Sequence, residues 1–168
     1  MLTTGLQFSG GKDSLAILHL WRDRLDETLI TWVNTGAAYP ETIEQMKQVK
    51  ASVPHFLEVK SNQPRQVDMN GYPADVIPLH FTLQGRGIVK TYHGFRIQDA
   101  FHCCSANIWQ PMHNAMKRRG ITTIIRGQRR AEKYTNPFAF NGAVVDGVTY
   151  LLPIEDWTTD EVLTYLQA

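Results

Sequence analysis

The sequence predicts an α/β fold in which a doubly wound, mostly parallel sheet of five strands carries helices on both faces. Short runs rich in β-branched and aromatic residues alternate with helical patterns along the chain. A glycine-rich turn joins the first strand to the first helix, and a second polar loop follows the next strand. The predicted architecture is Rossmann-like, and such sheets bind ligands beyond the carboxyl ends of their strands.

Length and composition indicate a globular protein that we expect to form a single domain over residues 1–168. The net charge of +1 disfavours a strongly basic nucleic-acid binder, although it is compatible with a local basic patch. We find no apolar run long enough for a membrane span, and we expect no signal peptide because the first predicted strand begins at once. The two cysteines are adjacent and form no disulfide framework, so we expect a cytoplasmic protein.

The first strand, over residues 2–8, leads into a turn that has the composition of an anion site. Glycines let the backbone approach an oxyanion, and the N–H groups at the start of the following helix attract negative charge. Lys12 suits phosphate, whereas Asp13 implies a cation such as Mg²⁺ between its carboxylate and the phosphate. The spacing differs from that of a Walker A loop. The predicted site residues of this turn are Ser9, Gly10, Gly11, Lys12, Asp13 and Ser14.

The second strand, Thr28–Val33, ends in another polar loop, formed by Asn34, Thr35 and Gly36. A helix beginning at Pro40 and a third strand over residues 53–59 follow. Because the carboxyl ends of parallel strands share one edge of a sheet, we expect this loop and the Ser9–Ser14 turn to face one crevice.

The middle of the chain is harder to interpret, because residues from about 61 to 101 are irregular and rich in proline and glycine. Arg86, Lys90 and Arg96 could reach a ligand from this segment or belong to an ordinary solvated loop. Beyond it, we expect Ser105 to cap a helix that Pro111 either delays or kinks.

Cys103 and Cys104 lie at the predicted start of that helix, where a thiol is more nucleophilic. The alternative, two small buried hydrophobic residues, is equally compatible with the sequence. Adjacent cysteines without a second pair elsewhere disfavour a structural zinc site.

A fourth strand, Ile121–Ile125, precedes a basic segment. Seven cations lie between Lys117 and Lys133, opposed only by Glu132. Those that leave the carboxyl end of the strand favour anion binding, and we assign this role to Arg129 and Arg130. A last strand over residues 148–152 and a capping box of Thr158 and Glu161 before a terminal helix complete the chain.

These segments resemble the phosphoadenosine phosphosulfate (PAPS) reductase family of the adenine nucleotide α-hydrolase superfamily, and the compact chain looks most like phage-encoded members. Asn34 stands where the family usually has Asp, and the family's catalytic tail cysteine has no counterpart here. The resembling segments are Ser9–Ser14, Val33–Gly36, Tyr39–Thr42, the Cys103–Cys104 pair with Pro111, Gly127–Arg130 and Leu152–Trp157.

The resemblance implies an enzyme that binds PAPS or ATP for sulfur chemistry. In one reaction a thiol reduces a sulfonucleotide, with Cys103 or Cys104 as candidate nucleophile and a thiol donor such as thioredoxin as candidate partner. In the other, ATP is cleaved with Mg²⁺ on Asp13 to adenylate an acceptor for sulfur transfer. Lys12 and Arg129 would stabilise the developing charge in either case.

Two cysteines exclude a four-cysteine iron–sulfur cluster within one chain. A nucleotide-binding module that needs a partner for turnover, a homo-oligomer and a nucleic-acid substrate stay open as alternatives.

Overall fold

The computed structural model describes residues 2–73, 96–132 and 140–168. They belong to two compact units. The first, here called the sheet unit, comprises Met1–Trp32, Ala38–Val59 and Met112–Ala168. The second unit comprises Val33–Ala37 and Lys60–Pro111. The expectation of a single domain stays a prediction.

A mostly parallel sheet of six strands organises the fold. Its strands are β1 (Thr4–Gln7), β2 (Thr28–Asn34), β3 (Phe56–Lys60), β6 (Thr123–Arg126), β7 (Val144–Val145) and β8 (Val148–Leu151). They lie in the order β3-β2-β1-β6-β8-β7. β1 pairs in parallel with β2 on one side and with β6 on the other, and β6 pairs in parallel with β8.

Helices cover both faces of the sheet, as the doubly wound prediction requires. Leu6 is fully buried in a cluster with Ile17 of α1 (Lys12–Leu20) and Val162 of α6 (Thr159–Gln167). The neighbouring residue Gly5 faces the opposite side, where a Cβ atom would lie 2.6 Å from Met116 of α5 (Gln110–Lys117). The predicted fold class is therefore confirmed.

The remaining elements of the sheet unit depart little from the prediction. α2 runs over Pro40–Ser52 with proline in its first turn, and a 3₁₀ helix over Arg22–Glu27 follows α1. The sixth strand is β7, a two-residue antiparallel edge that the five-stranded prediction did not include. The predicted capping box is confirmed, because Thr158 accepts from the Glu161 N–H and Glu161 accepts from the Thr158 N–H.

The second unit has more regular structure than its sequence predicted. α3 (Gln63–Asn70) leads to β4 (Tyr72–Pro73), which pairs in parallel with β5 (Ile97–Gln98). Arg96 donates to the Met69 carbonyl oxygen at 3.0 Å. Arg86 and Lys90 lie outside the described residues.

The predicted start of the cysteine helix is wrong. α4 begins earlier, at Ala100, and extends to Cys104 with Asp99 as its cap, because the Asp99 carboxylate accepts from the His102 N–H at 3.1 Å. Ser105 has helical backbone angles and begins a π-helical turn, Ser105–Trp109, that continues into α5. A π turn ahead of Pro111 accommodates a residue that lacks an N–H group.

Within the residues described, no helix has the length and apolar character that crossing a membrane requires.

Candidate functional site

The order of the strands reverses between β1 and β6, since β1 has β2 on one side and β6 on the other. Gln7 at the end of β1 is paired with Arg126 at the end of β6. The turn after β1 and the loop after β6 therefore begin side by side at the topological switch point, where open α/β sheets bind ligands.

Helix α1 presents open backbone donors at this point. Its N-cap residue, Gly11, supplies no side-chain cap, so the first N–H groups are available to an anion. Gly10 has a φ of 85° and receives a hydrogen bond on its carbonyl oxygen from Gln45 of α2 at 3.2 Å. A Cβ atom on Gly10 would lie 2.8 Å from the ends of the flexible Met46 and Gln45 side chains, which can shift, so it is the positive φ that favours glycine here.

The two serines of the turn hold its shape. The buried Ser14 hydroxyl donates to the Gly11 carbonyl oxygen at 2.9 Å and accepts from the Ser9 hydroxyl at 3.1 Å. The Ser9 hydroxyl oxygen also accepts from the Gly11 N–H at 3.3 Å. Any hydrogen bond from these predicted site residues to a ligand would therefore compete with hydrogen bonds inside the turn.

A carboxylate between two cations forms the charged centre of the site. Asp13 Oδ2 lies 2.8 Å from Lys12 Nζ, and Asp13 Oδ1 lies 2.9 Å from Arg129 Nε. The second contact is an ion pair without hydrogen-bond alignment. The Asp13 side chain is 18% exposed and that of Arg129 only 8%, so water screens this pair weakly.

Arg129 is held by the terminal helix as well. Its Nη1 donates to the Thr159 hydroxyl at 3.2 Å and to the Trp157 carbonyl oxygen at 3.4 Å. Gly127 permits this geometry, because a Cβ atom there would lie 2.9 Å from the Asp13 carbonyl carbon. The structure therefore brings together Lys12, Asp13, Gly127 and Arg129, four of the residues that the sequence analysis selected.

Arg130 lies differently from its neighbour. Its side chain is 71% exposed, and its Nε is 3.0 Å from the exposed carboxylate of Asp156. Its Nη2 is also 3.7 Å from Glu155. The pair of arginines that the sequence treated alike thus divides into one buried and one exposed residue.

Glu132 is a further acidic residue of the site that the sequence analysis did not select. Burial raises the pKa of its carboxyl, and the negative charge of Asp13 raises it further, whereas Arg129 and Lys12 lower it. The sequence did place Glu132 among the cations after β6, which was the available signal. Gln45, which donates to the Gly10 carbonyl oxygen, had no such signal in the sequence, because it is one of several polar residues on α2.

The predicted loop after β2 belongs to the second unit. The Asn34 side chain accepts from the Gly36 N–H at 3.1 Å, and Gly36 has a φ of 78°. The Thr35 hydroxyl accepts from the Ala37 N–H at 3.4 Å. These are local turn contacts of Asx and Thr residues, and the expectation that this loop shares a crevice with the first turn stays a prediction.

The two cysteines differ in burial. Cys103 is 3% exposed, and its sulfur accepts from the Asn107 amide at 3.7 Å and from the Gln63 amide at 3.8 Å. Cys104 is half-buried, and neither cysteine forms a disulfide bond within the described residues. Their predicted role as nucleophiles stays a prediction.

The described residues include no group of three or more His, Cys, Asp or Glu side chains suited to hold a metal. Asp13, the predicted Mg²⁺ ligand, has both carboxylate oxygens in ion pairs with protein cations. In this arrangement it fits a counterion of Lys12 and Arg129 better than it fits a metal ligand.

A glycine turn that opens a helix at the switch point, with cations from both flanking loops, defines an α/β domain of the nucleotide-binding class. The sequence model of the phosphoadenosine phosphosulfate reductase domain matches residues 3–168, and the chain belongs to this family. No curated protein sequence matches the chain.

Two solved structures share the fold. A phosphoadenylyl-sulfate (PAPS) reductase from Candida auris, in complex with phosphate, superposes with a TM-score of 0.62 at 14% identity, over 99% of this chain and 72% of that one. A predicted subunit of tRNA methyltransferase from Methanocaldococcus jannaschii gives a TM-score of 0.51 at 12% identity, over 99% of this chain and 75% of that one.

Proposed function

We propose that the protein binds an adenine nucleotide with its phosphate or phosphosulfate end at the Ser9–Ser14 turn and serves thiol-dependent reduction of a sulfonucleotide. The observation that carries this proposal is the cluster of Lys12, Asp13 and Arg129 at the switch point. Membership of the PAPS reductase family supports the ligand class.

The cluster suits an oxyanion that replaces Asp13 as the partner of its two cations. Arg129 offers a planar fork for phosphate or sulfate oxygens, and Lys12 offers a compact charge. The open N–H groups of α1 add donors that need no rearrangement. Together they would stabilise the negative charge that develops on the leaving nucleotide phosphate.

The electrons for the reduction come from a thiol. Cys103, Cys104 and a separate thiol donor such as thioredoxin are the candidates. Cys104 is the less buried of the two cysteines, whereas the Cys103 sulfur is enclosed with two amide donors. We therefore favour Cys104 over Cys103 if the chain supplies the thiol.

The second candidate function is Mg²⁺-dependent cleavage of ATP to adenylate an acceptor for sulfur transfer. Asp13 and Glu132 favour it, because the two carboxylates interact and Mg²⁺ commonly binds one or two carboxylates plus substrate phosphates. The ion pairs of Asp13 disfavour it, so we assign no metal-dependent step. A third candidate is a module that binds nucleotide and needs a partner for turnover.

Calorimetric titration with PAPS, and separately with ATP with and without Mg²⁺, distinguishes the three candidates. We expect PAPS to bind without Mg²⁺ and sulfite to form when a thiol reductant is added. Mg²⁺-dependent ATP binding with weak PAPS binding would favour the adenylating enzyme. PAPS binding without sulfite under any thiol would favour the module.

The role of the turn is tested by Lys12→Ala, which we expect to weaken nucleotide binding by about tenfold or more, since it removes a charged contact to the anion. Lys117→Ala is the matched control, because Lys117 is an exposed lysine at the end of α5. Equal affinity of the Lys12→Ala variant and the wild type for the nucleotide would contradict the placement of the ligand at this turn.

A further inference from the structure

Gln45 of α2 is a residue that the proposed function has not used, although its side chain contacts the Ser9–Ser14 turn. Its Nε2 donates to the Gly10 carbonyl oxygen at 3.2 Å, across a separation of 35 residues in the chain. Both residues belong to the sheet unit. A carbonyl oxygen can only accept, so this contact requires the amide nitrogen of Gln45 and not its oxygen. The turn is therefore held from α2 as well as by its own serines.

The peptide group that Gln45 holds is the one between Gly10 and Gly11. A peptide flanked by two glycines has more accessible orientations than one flanked by residues with a Cβ atom, and Gly10 already has a φ of 85°. Inside the turn, the Ser14 hydroxyl donates to the Gly11 carbonyl oxygen, which belongs to the next peptide group. Gln45 thus fixes the part of the turn that its sequence leaves most free to rotate.

The orientation of this peptide group decides what an anion meets at the turn. The C=O and N–H groups of a trans peptide point in opposite directions. While the Gly10 carbonyl oxygen accepts from Gln45, the Gly11 N–H points to Ser9 Oγ inside the turn, at 3.3 Å. Rotation of the peptide would exchange the two groups and bring a carbonyl oxygen toward the N–H donors at the start of α1. An acceptor among those donors would repel an oxyanion.

α2 is a firm support for such a contact. The residue after Gln45 is Met46, which is 3% exposed and belongs to the hydrophobic core. Val49, further along α2, and Ile17 of α1 lie in the same core cluster. A side chain carried by a packed helix positions its partner more closely than one carried by a loop.

We propose that Gln45 is a positioning residue for nucleotide binding, which keeps the Gly10 carbonyl oxygen turned toward α2 and away from the bound phosphate or phosphosulfate. This inference rests on the proposed function, because it takes the Ser9–Ser14 turn as the site of the anion. Gln45 itself contacts no part of the nucleotide in this proposal and takes part in no step of the reaction. It acts through the Gly10–Gly11 peptide.

The test compares the wild type with Gln45→Met, which has a side chain of similar length and similar helix propensity but no donor. By calorimetric titration with PAPS, or with ATP if that is the nucleotide the wild type binds, we expect Gln45→Met to lose about three- to tenfold in affinity, the effect of one neutral hydrogen bond. Gln48→Met is the matched control, because Gln48 is exposed on the same helix. Both variants should melt close to the wild type, since the bond from Gln45 is only partly buried and water can take its place.

The amide signal of Gly11 separates positioning from a general structural role. In the ligand-free protein, NMR relaxation dispersion should detect microsecond-to-millisecond exchange at the Gly11 N–H in Gln45→Met, and not in the wild type or in Gln48→Met. A loss of affinity with an unchanged Gly11 signal would overturn the inference, because Gln45 would then act by another route. Equal nucleotide affinity of Gln45→Met and the wild type would overturn it while leaving the proposed function intact. A wild type that binds neither nucleotide would overturn both.

Discussion

Two adjacent arginines, Arg129 and Arg130, differ in burial and in ion-pair partner although they are neighbours in the chain. The first is buried against Asp13 and the terminal helix, and the second is exposed beside Asp156. The sequence could predict that cations leave β6 toward a ligand edge, because strand and loop were recognisable. It could not separate the two, since their directions depend on how the loop leaves the sheet.

The closeness of Gly127 to α1 gives a residue-level prediction. A Cβ atom there would approach the backbone of Asp13 and Ser14 to 2.9–3.0 Å, which neither can relieve by a side-chain movement. We expect Gly127→Ala to lower the free energy of unfolding by about 1–3 kcal/mol, measured by denaturant unfolding, and to weaken nucleotide binding.

Gly11→Ala is the matched control for that substitution. Its Cβ atom would meet only the Ser9 hydroxyl at 3.5 Å, and its φ of −76° suits alanine. We expect its stability to stay close to that of the wild type. Equal destabilisation by the two substitutions would refute the close approach of β6 and α1.

At the scale of the element, regular helices and strands were predictable where local signals agreed. Pro40, the apolar periodicity of α1 and the capping box at Thr158 each had a physical reason visible in the sequence. The start of the cysteine helix was not predictable, because Ser105 resembled an N-cap and the π turn before Pro111 has no sequence signature. Asp99, earlier in the chain, caps the helix in place of Ser105.

The capping box of α6 supports a prediction at this scale. Thr158→Ala removes the acceptor of the Glu161 N–H, and we expect a loss of about 1 kcal/mol in the free energy of unfolding. Thr164→Ala, in the exposed interior of the same helix, should be neutral or slightly stabilising because alanine has the higher helix propensity. Equal losses in urea unfolding for both variants would show that the cap contributes nothing specific.

At the scale of the whole molecule, the doubly wound, mostly parallel sheet was predictable from the alternation of strands and helices, but the charge balance of the site was not. Pairing of Asp13 with Arg129 joins residues far apart in the chain, and only the packed β1 and β6 ends bring them together. The same packing makes Glu132 part of the cluster. Long-range electrostatics of this kind has no local sequence pattern.

The raised pKa of Glu132 predicts how stability depends on pH. The folded state favours the protonated carboxyl, so folding takes up a proton above the ordinary pKa of 4.5. The wild type should therefore lose stability as the pH rises from about 4.5 through the raised pKa. We expect Glu132→Gln to flatten that loss in melting temperatures measured across this range, and an identical pH profile in both proteins would contradict the burial of this carboxyl.

The carboxylate between Lys12 and Arg129 has a consequence for discrimination among ligands. Because Asp13 is part of the chain, its carboxylate is always present beside Lys12 and Arg129 at a high effective concentration. An anionic ligand that binds these two cations must therefore displace the Asp13 carboxylate. Free phosphate or sulfate must displace Asp13 through its contacts with the two cations and the turn alone. If the proposed function is correct, a nucleotide brings its base and ribose as well, and we expect this extra contact area to let it displace Asp13 where free phosphate or sulfate does not.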